Sequence, residues 1–388
     1  MHSADISFEQ LLKTDAGTLC QQGLHWRDSD EHAQDYAKAI RYLSLAALED
    51  HVQAQYELGL MNLRGEGVEK NRLRALMWFW LAGGLNDPRA TSQSNQLARQ
   101  LSVNDVKRAQ HQVQHFYQAQ KLFRKARAAT DLQAITALGV MLAAGQGVEQ
   151  DNEQAVYWFR LASRRQYAEA ECHLAACYAS GKGIDKNLHE AIRLYQRAAA
   201  QGNPDAHYHL ADMIERGAGH AADAGKAIKH YQTAAVHGQV QAQLRLGFLF
   251  HSTNRRDAEL LAKSHHYFSK AAEQGNAEAQ CQLGLLYAQG LGVTQDFEQA
   301  AEWYQRAAAK MHPKAQFNLA FLCAHGEGVE QDYIQAYMWY RLSTLYGYAQ
   351  AQINLEFIAK KMTEAEIEKA LWKADHFFNS HTANVVAG

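Results

Sequence analysis

The fold of this chain is decided by residues 168–202, AEAECHLAACYASGKGIDKNLHEAIRLYQRAAAQG, which have the pattern of two short helices joined by a turn. Ala170, Leu174 and Tyr178 recur every four residues, and this spacing predicts one apolar face on a first helix. The Gly-Lys-Gly sequence at 181–183 then favours a turn, because glycine adopts the left-handed conformation without a Cβ clash. The alanines of both helices predict a pair that packs closely.

The same pattern returns along the chain with a period of about 36 residues. The leucine of the first helix recurs at Leu138, Leu174, Leu210, Leu246, Leu283, Leu319 and Leu355. The N-cap position of the second helix holds Asp151, Asn187, Asp223, Asp296 and Asp332, and its aromatic position holds Phe159, Tyr195, Tyr231, Phe268, Tyr304 and Tyr340. A fixed period with these residues in phase predicts an all-α solenoid of antiparallel helix pairs.

Composition narrows the class of protein further. Only 3 of the 388 residues are proline, which agrees with a nearly all-helical chain. The formal net charge of −2 disfavours a nucleic-acid-binding protein, which would carry clustered Lys and Arg. We find no apolar run of about 18 residues, so we expect no membrane insertion. No secretory signal is visible, so we expect either a cytoplasmic location or a leader that has been removed. We also expect a monomer. The five cysteines do not recur once per repeat, and we expect most of them to be buried free thiols.

Two segments of the chain, 54–116 and 315–377, align without a gap when 261 is subtracted from the residue number. Trp339 then corresponds to Trp78, and Phe377 to Phe116. Each segment contains a helix that begins with a capping box, at Ser102–Asp105 in the first and at Thr363–Glu366 in the second. The correspondence predicts two copies of one closing unit.

A closing unit in mid-chain predicts two repeat arrays in series. We expect a short N-terminal array with closing helices at 1–118 and a connecting helix at 119–133. The main array with its C-terminal capping helix should occupy 134–380, followed by a disordered tail at 381–388. The turn at 27–34 has lost the usual glycines, and the turn at 217–220 is weakened. The turn at 251–256 has no glycine, and we expect a longer or irregular loop there.

Residues 279–308 carry the pattern that identifies the repeat, with Leu283-Gly284, Gly290-Leu291-Gly292-Val293, Asp296, Trp303-Tyr304 and Ala307-Ala308. This pattern resembles the Sel-one-like repeat, a class allied to the tetratricopeptide repeats. The resemblance implies a right-handed superhelix that serves as a scaffold or adaptor for a protein or peptide partner. It implies no catalytic residue and no cofactor.

The family geometry implies that the first helices line the concave face. Positions two before and two after the recurring leucine, such as Val140 and Ala176, should then face inward. The candidate protein-binding residues are Tyr56, Leu60, Tyr208, Asp212, Glu215, Leu244, Phe248, His251, Phe317 and Phe321. They either form an apolar groove for a peptide or pack on neighbouring repeats. The polar ones depart from the apolar pattern close to the irregular loop at Thr253.

Patterns that carry chemistry are scarce in this sequence. The 20 histidines include no H-x-x-x-H with a helical glutamate, and the cysteines form no C-x-x-C, so we expect no metal site. The Gly-x-Gly-Val turn follows a helix and not a strand, which argues against a phosphate-binding loop. We therefore expect a non-enzymatic scaffold or adaptor. The alternative is an inhibitor or immunity-type protein that wraps one toxin or enzyme, and pull-down stoichiometry separates the two.

Overall fold

The computed structural model describes residues 8–28, 35–128, 130–218, 222–253 and 257–385. These residues form 21 α-helices and no β-strand, which confirms the predicted all-α class. The turns with missing glycines, at 27–34, 217–220 and 251–256, lie partly outside the described residues. Contacts divide the chain into a first unit that ends at Gln201 and a second unit, Gly202–Val385.

The first unit consists of consecutive helix pairs with one insertion. Its helices are α1 (Phe8–Leu11), α2 (Ala16–Asp28), α3 (Tyr36–Leu48), α4 (Val52–Arg64), α5 (Arg72–Gly84), α6 (Pro88–Ala98), α7 (Val103–Arg127), α8 (Leu132–Ala144), α9 (Asn152–Ser163), α10 (Ala168–Ser180) and α11 (Leu188–Ala200). The pairs are α2 with α3, α4 with α5, α8 with α9 and α10 with α11. Two of the second helices also pack on the first helix of the next pair, α3 on α4 and α9 on α10, while the inserted α6 and α7 pack on α5.

The second unit repeats this arrangement. Its helices are α12 (Pro204–Arg216), α13 (Ala224–Val236), α14 (Val240–Thr253), α15 (Ala258–Glu273), α16 (Ala277–Gln289), α17 (Phe297–Ala309), α18 (Pro313–His325), α19 (Tyr333–Leu345), α20 (Gln350–Ala359) and α21 (Glu364–Val385). Both α20 and α21 pack on α19. The tail expected at 381–388 is helical as far as Val385, because no glycine or proline interrupts α21 there, and 386–388 lie outside the described residues.

Capping residues set the ends of the repeat helices as the sequence predicts. The side chains of Asp151, Asn187, Asp223, Asp296 and Asp332 each accept a hydrogen bond from the backbone N–H three residues later. Several first helices end at a glycine in the left-handed conformation, at Gly65, Gly145, Gly181, Gly290 and Gly326. Local sequence therefore fixes where each turn of the repeat begins and ends.

The second glycine of the turn makes the contact between neighbouring repeats. A Cβ atom at Gly183 would lie 2.2 Å from the backbone oxygen of Asn152, which begins the second helix of the preceding repeat. A Cβ atom at Gly328 would lie 2.2 Å from the backbone of Phe297, the corresponding residue of α17. Backbone therefore lies directly against backbone at this contact, and only glycine leaves room for it.

The boundary between the two compact units differs from the predicted break at 119–133. The carboxylate of Glu149, on the turn between α8 and α9, accepts hydrogen bonds from Trp78 Nε1 at 2.9 Å and from Asn62 Nδ2 at 2.8 Å. Gly147 of the same turn lies against the backbone of His115 and Phe116 on α7. The α8–α9 repeat thus packs on the outer face of α7, and the first unit continues past the predicted break to Gln201.

The predicted correspondence between the two closing units is confirmed. The rings of Trp78 and Phe116 meet edge to face, with centroids 5.3 Å apart and planes inclined at 75°. The rings of Trp339 and Phe377 meet at 5.2 Å and 74°. The capping box at Thr363 also forms, since Glu366 accepts a hydrogen bond from the backbone N–H of Thr363 at 2.8 Å.

Candidate protein-binding groove

The first helices of two successive repeats, α8 and α10, border a groove in the first unit. We call this cavity of about 420 Å³ the first-helix groove. Val140 and Ala176 line it, and these are two of the positions expected to face inward. The remaining lining residues are Ala143, Ala144, Asn152, Phe159, His173, Cys177, Ser180 and Lys182. Sequence spacing therefore located both sides of the groove, because both side chains follow the recurring leucine by two residues.

The lining of the first-helix groove is mainly apolar, with a few polar residues. Val140, three alanines and Phe159 contribute apolar side chains, and the His173 ring stacks on Phe159 with centroids 5.1 Å apart. Ser180 and Lys182 line the groove where α10 ends. A concave apolar surface with a few convergent polar groups is suited to binding an apolar side chain of a partner.

Most of the aromatic candidate residues pack on the aromatic residue of their own second helix. Ring centroids are 5.7 Å apart for Tyr56 and Phe79, 5.8 Å for Tyr208 and Tyr231, 5.1 Å for Phe248 and Phe268, and 5.5 Å for Phe317 and Tyr340. Leu60 and Leu244 are also half-buried and pack against the core. These residues stabilise their repeats, and only their outer edges are accessible to a partner.

Phe321 is the most exposed of the ten candidate residues. It retains 39% of its accessible surface and stacks on His325, with centroids 4.1 Å apart. Both rings lie on α18, where they present an aromatic surface in the second unit. A partner could cover this pair without displacing any core side chain.

The polar candidates of the second unit already have partners within it. Asp212 forms an ion pair with Arg216 at 2.9 Å. Glu215 accepts hydrogen bonds from the Tyr231 hydroxyl at 2.9 Å and from Arg245 Nε at 3.0 Å. Partial burial alone would raise the pKa of Glu215, but these two donors outweigh it and lower the pKa below its usual value. The Glu215 carboxylate therefore connects α12 to α13 and α14 through these hydrogen bonds.

A histidine pair near these residues was missed by the sequence reasoning. The Nδ1 atoms of His207 and His230 lie 2.9 Å apart, which requires one ring to donate and the other to accept. Burial and the neighbouring His207 lower the pKa of His230, so the pair favours the neutral state. His230 occupies the repeat position at which Trp339 stands in a later repeat. Histidine in place of tryptophan at this position could have indicated the pair from the sequence.

His251 is the remaining candidate residue, and the five cysteines are the predicted thiols. His251 is half-buried in the last full turn of α14. Four of the cysteines are buried free thiols, as predicted, and Cys177 is partly exposed at the first-helix groove. Burial raises the pKa of Cys281 to about 12, which leaves this thiol protonated and unreactive at neutral pH.

The described residues include neither a membrane-spanning helix nor a cluster of metal-ligating side chains. Within the described ranges, no helix combines the length and the apolar character needed to cross a membrane. Among the same residues, no three His, Cys, Asp or Glu side chains are close enough together to hold a metal ion.

Comparison with known proteins identifies the repeat. The Sel1 repeat model matches eight segments, at residues 21–51, 52–87, 132–167, 168–203, 204–238, 240–276, 277–310 and 313–344. A Sel1 repeat protein from Oxalobacter formigenes is 27% identical, with a TM-score of 0.50 over 82% of this chain and 91% of that one. No curated protein matches the sequence.

Two further solved structures are similar at lower TM-scores. A protective antigen with an SLR fold from uropathogenic Escherichia coli is 23% identical, with a TM-score of 0.44 over 99% of this chain and 96% of that one. An immunity protein from Pseudomonas aeruginosa is 22% identical, with a TM-score of 0.37 over 55% of this chain and 81% of that one.

Proposed function

Because this chain belongs to the Sel1 repeat family, we propose that it is a scaffold that binds a protein partner through its first helices. Sel1 repeats are general protein–protein interaction modules. The first-helix groove between α8 and α10 is the observation that supports this surface most directly. Its apolar lining would receive an apolar side chain of the partner, and Lys182 would lie near an acidic group beside it.

We propose the same partner-binding role for the first helices of the second unit. Phe321 and His325 offer an exposed aromatic pair there, whereas the polar side chains of Asp212 and Glu215 are held by arginines. We assign the apolar positions to partner binding and the polar ones to holding the repeats together. Binding energy in such interfaces is usually concentrated in a few aromatic and apolar residues.

Filling the first-helix groove with charge should abolish partner capture. We expect Ala144→Glu with Ala176→Glu to lose the proteins that the wild-type chain captures from its native cell, because each carboxylate would have to be desolvated in the complex. Both alanines are at least partly exposed, so the variant should remain folded. Affinity purification with quantitative mass spectrometry measures the outcome.

The matched control is Val236→Glu, a change at a side chain that is 81% exposed at the end of a second helix, α13. This variant should capture the same proteins as the wild type. Equal capture by the groove variant would exclude the groove as the binding surface, and equal loss in both variants would mean that capture is non-specific.

The stoichiometry of the captured complex decides between the two proposed modes of binding. A scaffold should yield several partners with modest affinity, whereas an inhibitor or immunity-type protein should yield one partner in a tight equimolar complex. Mass photometry of the purified complex distinguishes them, and the chain alone in the same measurement tests the predicted monomeric state. Fractionation of the native cell tests the predicted cytoplasmic location.

A further inference from the structure

A second surface of the first unit consists of two adjoining cavities that share Arg160 and Arg164. One cavity of about 710 Å³ is lined by α1, by the end of α7 and by α9. The other, of about 340 Å³, lies among the end of α9, α10 and α11. We call the two together the arginine groove, and its cationic residues are Lys13, Arg127, Arg160, Arg164, Arg193 and Arg197.

Positive charge is concentrated in the arginine groove, although the chain as a whole carries −2. Its six cationic side chains face two carboxylates within the same lining, Glu9 and Glu190. Four of the cations have a carboxylate partner: Lys13 with Glu9, Arg193 with Glu190, Arg127 with Glu49 and Arg197 with Glu171. Within the described residues, Arg160 and Arg164 have no carboxylate within 4.0 Å.

The two uncompensated arginines are placed where both could reach one ligand. Arg160 lies in the last turn of α9 and Arg164 directly follows that helix, so they are four residues apart and line both cavities. Arg160 donates a hydrogen bond to the Tyr178 hydroxyl at 3.3 Å, which leaves most of its donors available. Guanidinium groups bind carboxylates in a bidentate manner, and these bonds are stronger than neutral ones.

Aromatic side chains form the wall of the larger cavity beside these arginines. The ring of Phe8 lies 4.6 Å from Tyr157 and 6.0 Å from Trp158, centroid to centroid. Trp158 is 1% exposed and lines the same cavity, so an apolar side chain that enters the cavity would meet an aromatic wall.

We infer that the arginine groove binds an acidic peptide segment in which an apolar side chain lies beside the carboxylates. The carboxylates would bind Arg160 and Arg164, and the apolar side chain would enter the cavity lined by Phe8, Tyr157 and Trp158. Only two uncompensated arginines are present, which is too few for the many phosphate contacts that give nucleic acids their affinity. This surface is separate from the first-helix groove, so it extends the proposed function to a second contact.

Fluorescence anisotropy with synthetic peptides tests this inference on the full chain. The probe is a fluorescein-labelled peptide of glutamate and leucine residues, and we expect saturable binding that weakens with added salt. The variant Arg160→Glu with Arg164→Glu should lower the affinity by about tenfold or more, since it removes both charge-assisted contacts. A peptide in which glycine replaces leucine should bind more weakly, because it lacks the apolar side chain.

The control variant, Arg72→Glu with Arg99→Glu, makes the same change in net charge at two exposed arginines outside both cavities. It should bind the probe as the wild type does. The variant Ala144→Glu with Ala176→Glu should also bind normally, which separates this inference from the proposed function of the first-helix groove.

Three outcomes would overturn the inference. The first is an equal loss of affinity in the groove and control variants at unchanged melting temperature, which would indicate a diffuse electrostatic effect. The second is competition by a single-stranded oligonucleotide at the same concentration as unlabelled peptide, which would indicate a phosphate site. The third is the absence of saturable binding by the wild type.

Discussion

Leu283→Asp is expected to unfold the repeats of the second unit that surround α16. Leu283 is 1% exposed and packs in one apolar core with Phe268 and Leu286. Removing such a leucine costs about 2–5 kcal/mol, and placing an unpaired carboxylate in the same space adds to that cost. The free energy of unfolding should therefore fall by more than about 4 kcal/mol. Chemical denaturation and hydrogen exchange of α16 and α17 would measure the change.

The matched control for this variant is Ile353→Asp in the same unit. Ile353 is 72% exposed on α20, so its replacement should change the stability by less than about 0.5 kcal/mol. Similar losses in both variants would mean that the recurring leucine does not lie in the core of the repeat.

Gly328→Ala is expected to destabilise the second unit much more than Gly326→Ala, although the two glycines belong to one turn. Both have a positive φ, 67° and 72°, so both substitutions incur the left-handed penalty of about 1–2 kcal/mol. The new Cβ at Gly328 would lie 2.2 Å from the backbone of Phe297, whereas the nearest atom at Gly326 is the Gln331 Cβ at 3.3 Å. Separating the turn from α17 should cost a further 1–3 kcal/mol, to order of magnitude.

Gly326→Ala therefore serves as the internal reference, because it shares the turn and the backbone conformation. Thermal and urea unfolding of the two variants would give the difference directly. Equal destabilisation would show that the second glycine is kept for its conformation alone and does not form the contact between repeats.

The helices and their packing followed from the sequence because each feature repeats in phase. Asp296 caps its helix, Gly290 ends the one before, and Gly284 leaves space for the ring of Tyr304, where a Cβ would lie 2.7 Å away. The spacing of 261 residues likewise anticipated the Trp339–Phe377 pair. These features could be predicted because each depends on contacts between residues at fixed positions of the repeat.

The features that the sequence did not reveal depend on contacts between residues that the repeat period does not relate to each other. Glu149 occupies the same position as Glu69 and Glu330, which are exposed, yet it is 3% exposed because its turn docks on the repeat before the inserted helices. For the same reason the break expected at 119–133 lies inside the first unit. The pairing of His207 with His230 also joins two different positions of the repeat.

The candidate groove was only partly predictable. Spacing placed Val140 and Ala176 on one surface, but it could not show that Phe159 and Lys182, from another helix and a turn, complete its wall. It also left open whether Tyr56 and Phe248 face a partner or the core, and both turn out to pack on aromatic rings of their own repeats. Burial of large side chains in a solenoid depends on how adjacent helices cross, which the period does not specify.

We propose that the first helices present the partner-binding surface. The measurement that tests it most directly is hydrogen–deuterium exchange of the full chain with and without the partner captured in the affinity experiment. We expect slower exchange in α8 and α10, along the first-helix groove, with little change in α9 and α11. Slower exchange confined to α9 and α11 would contradict it.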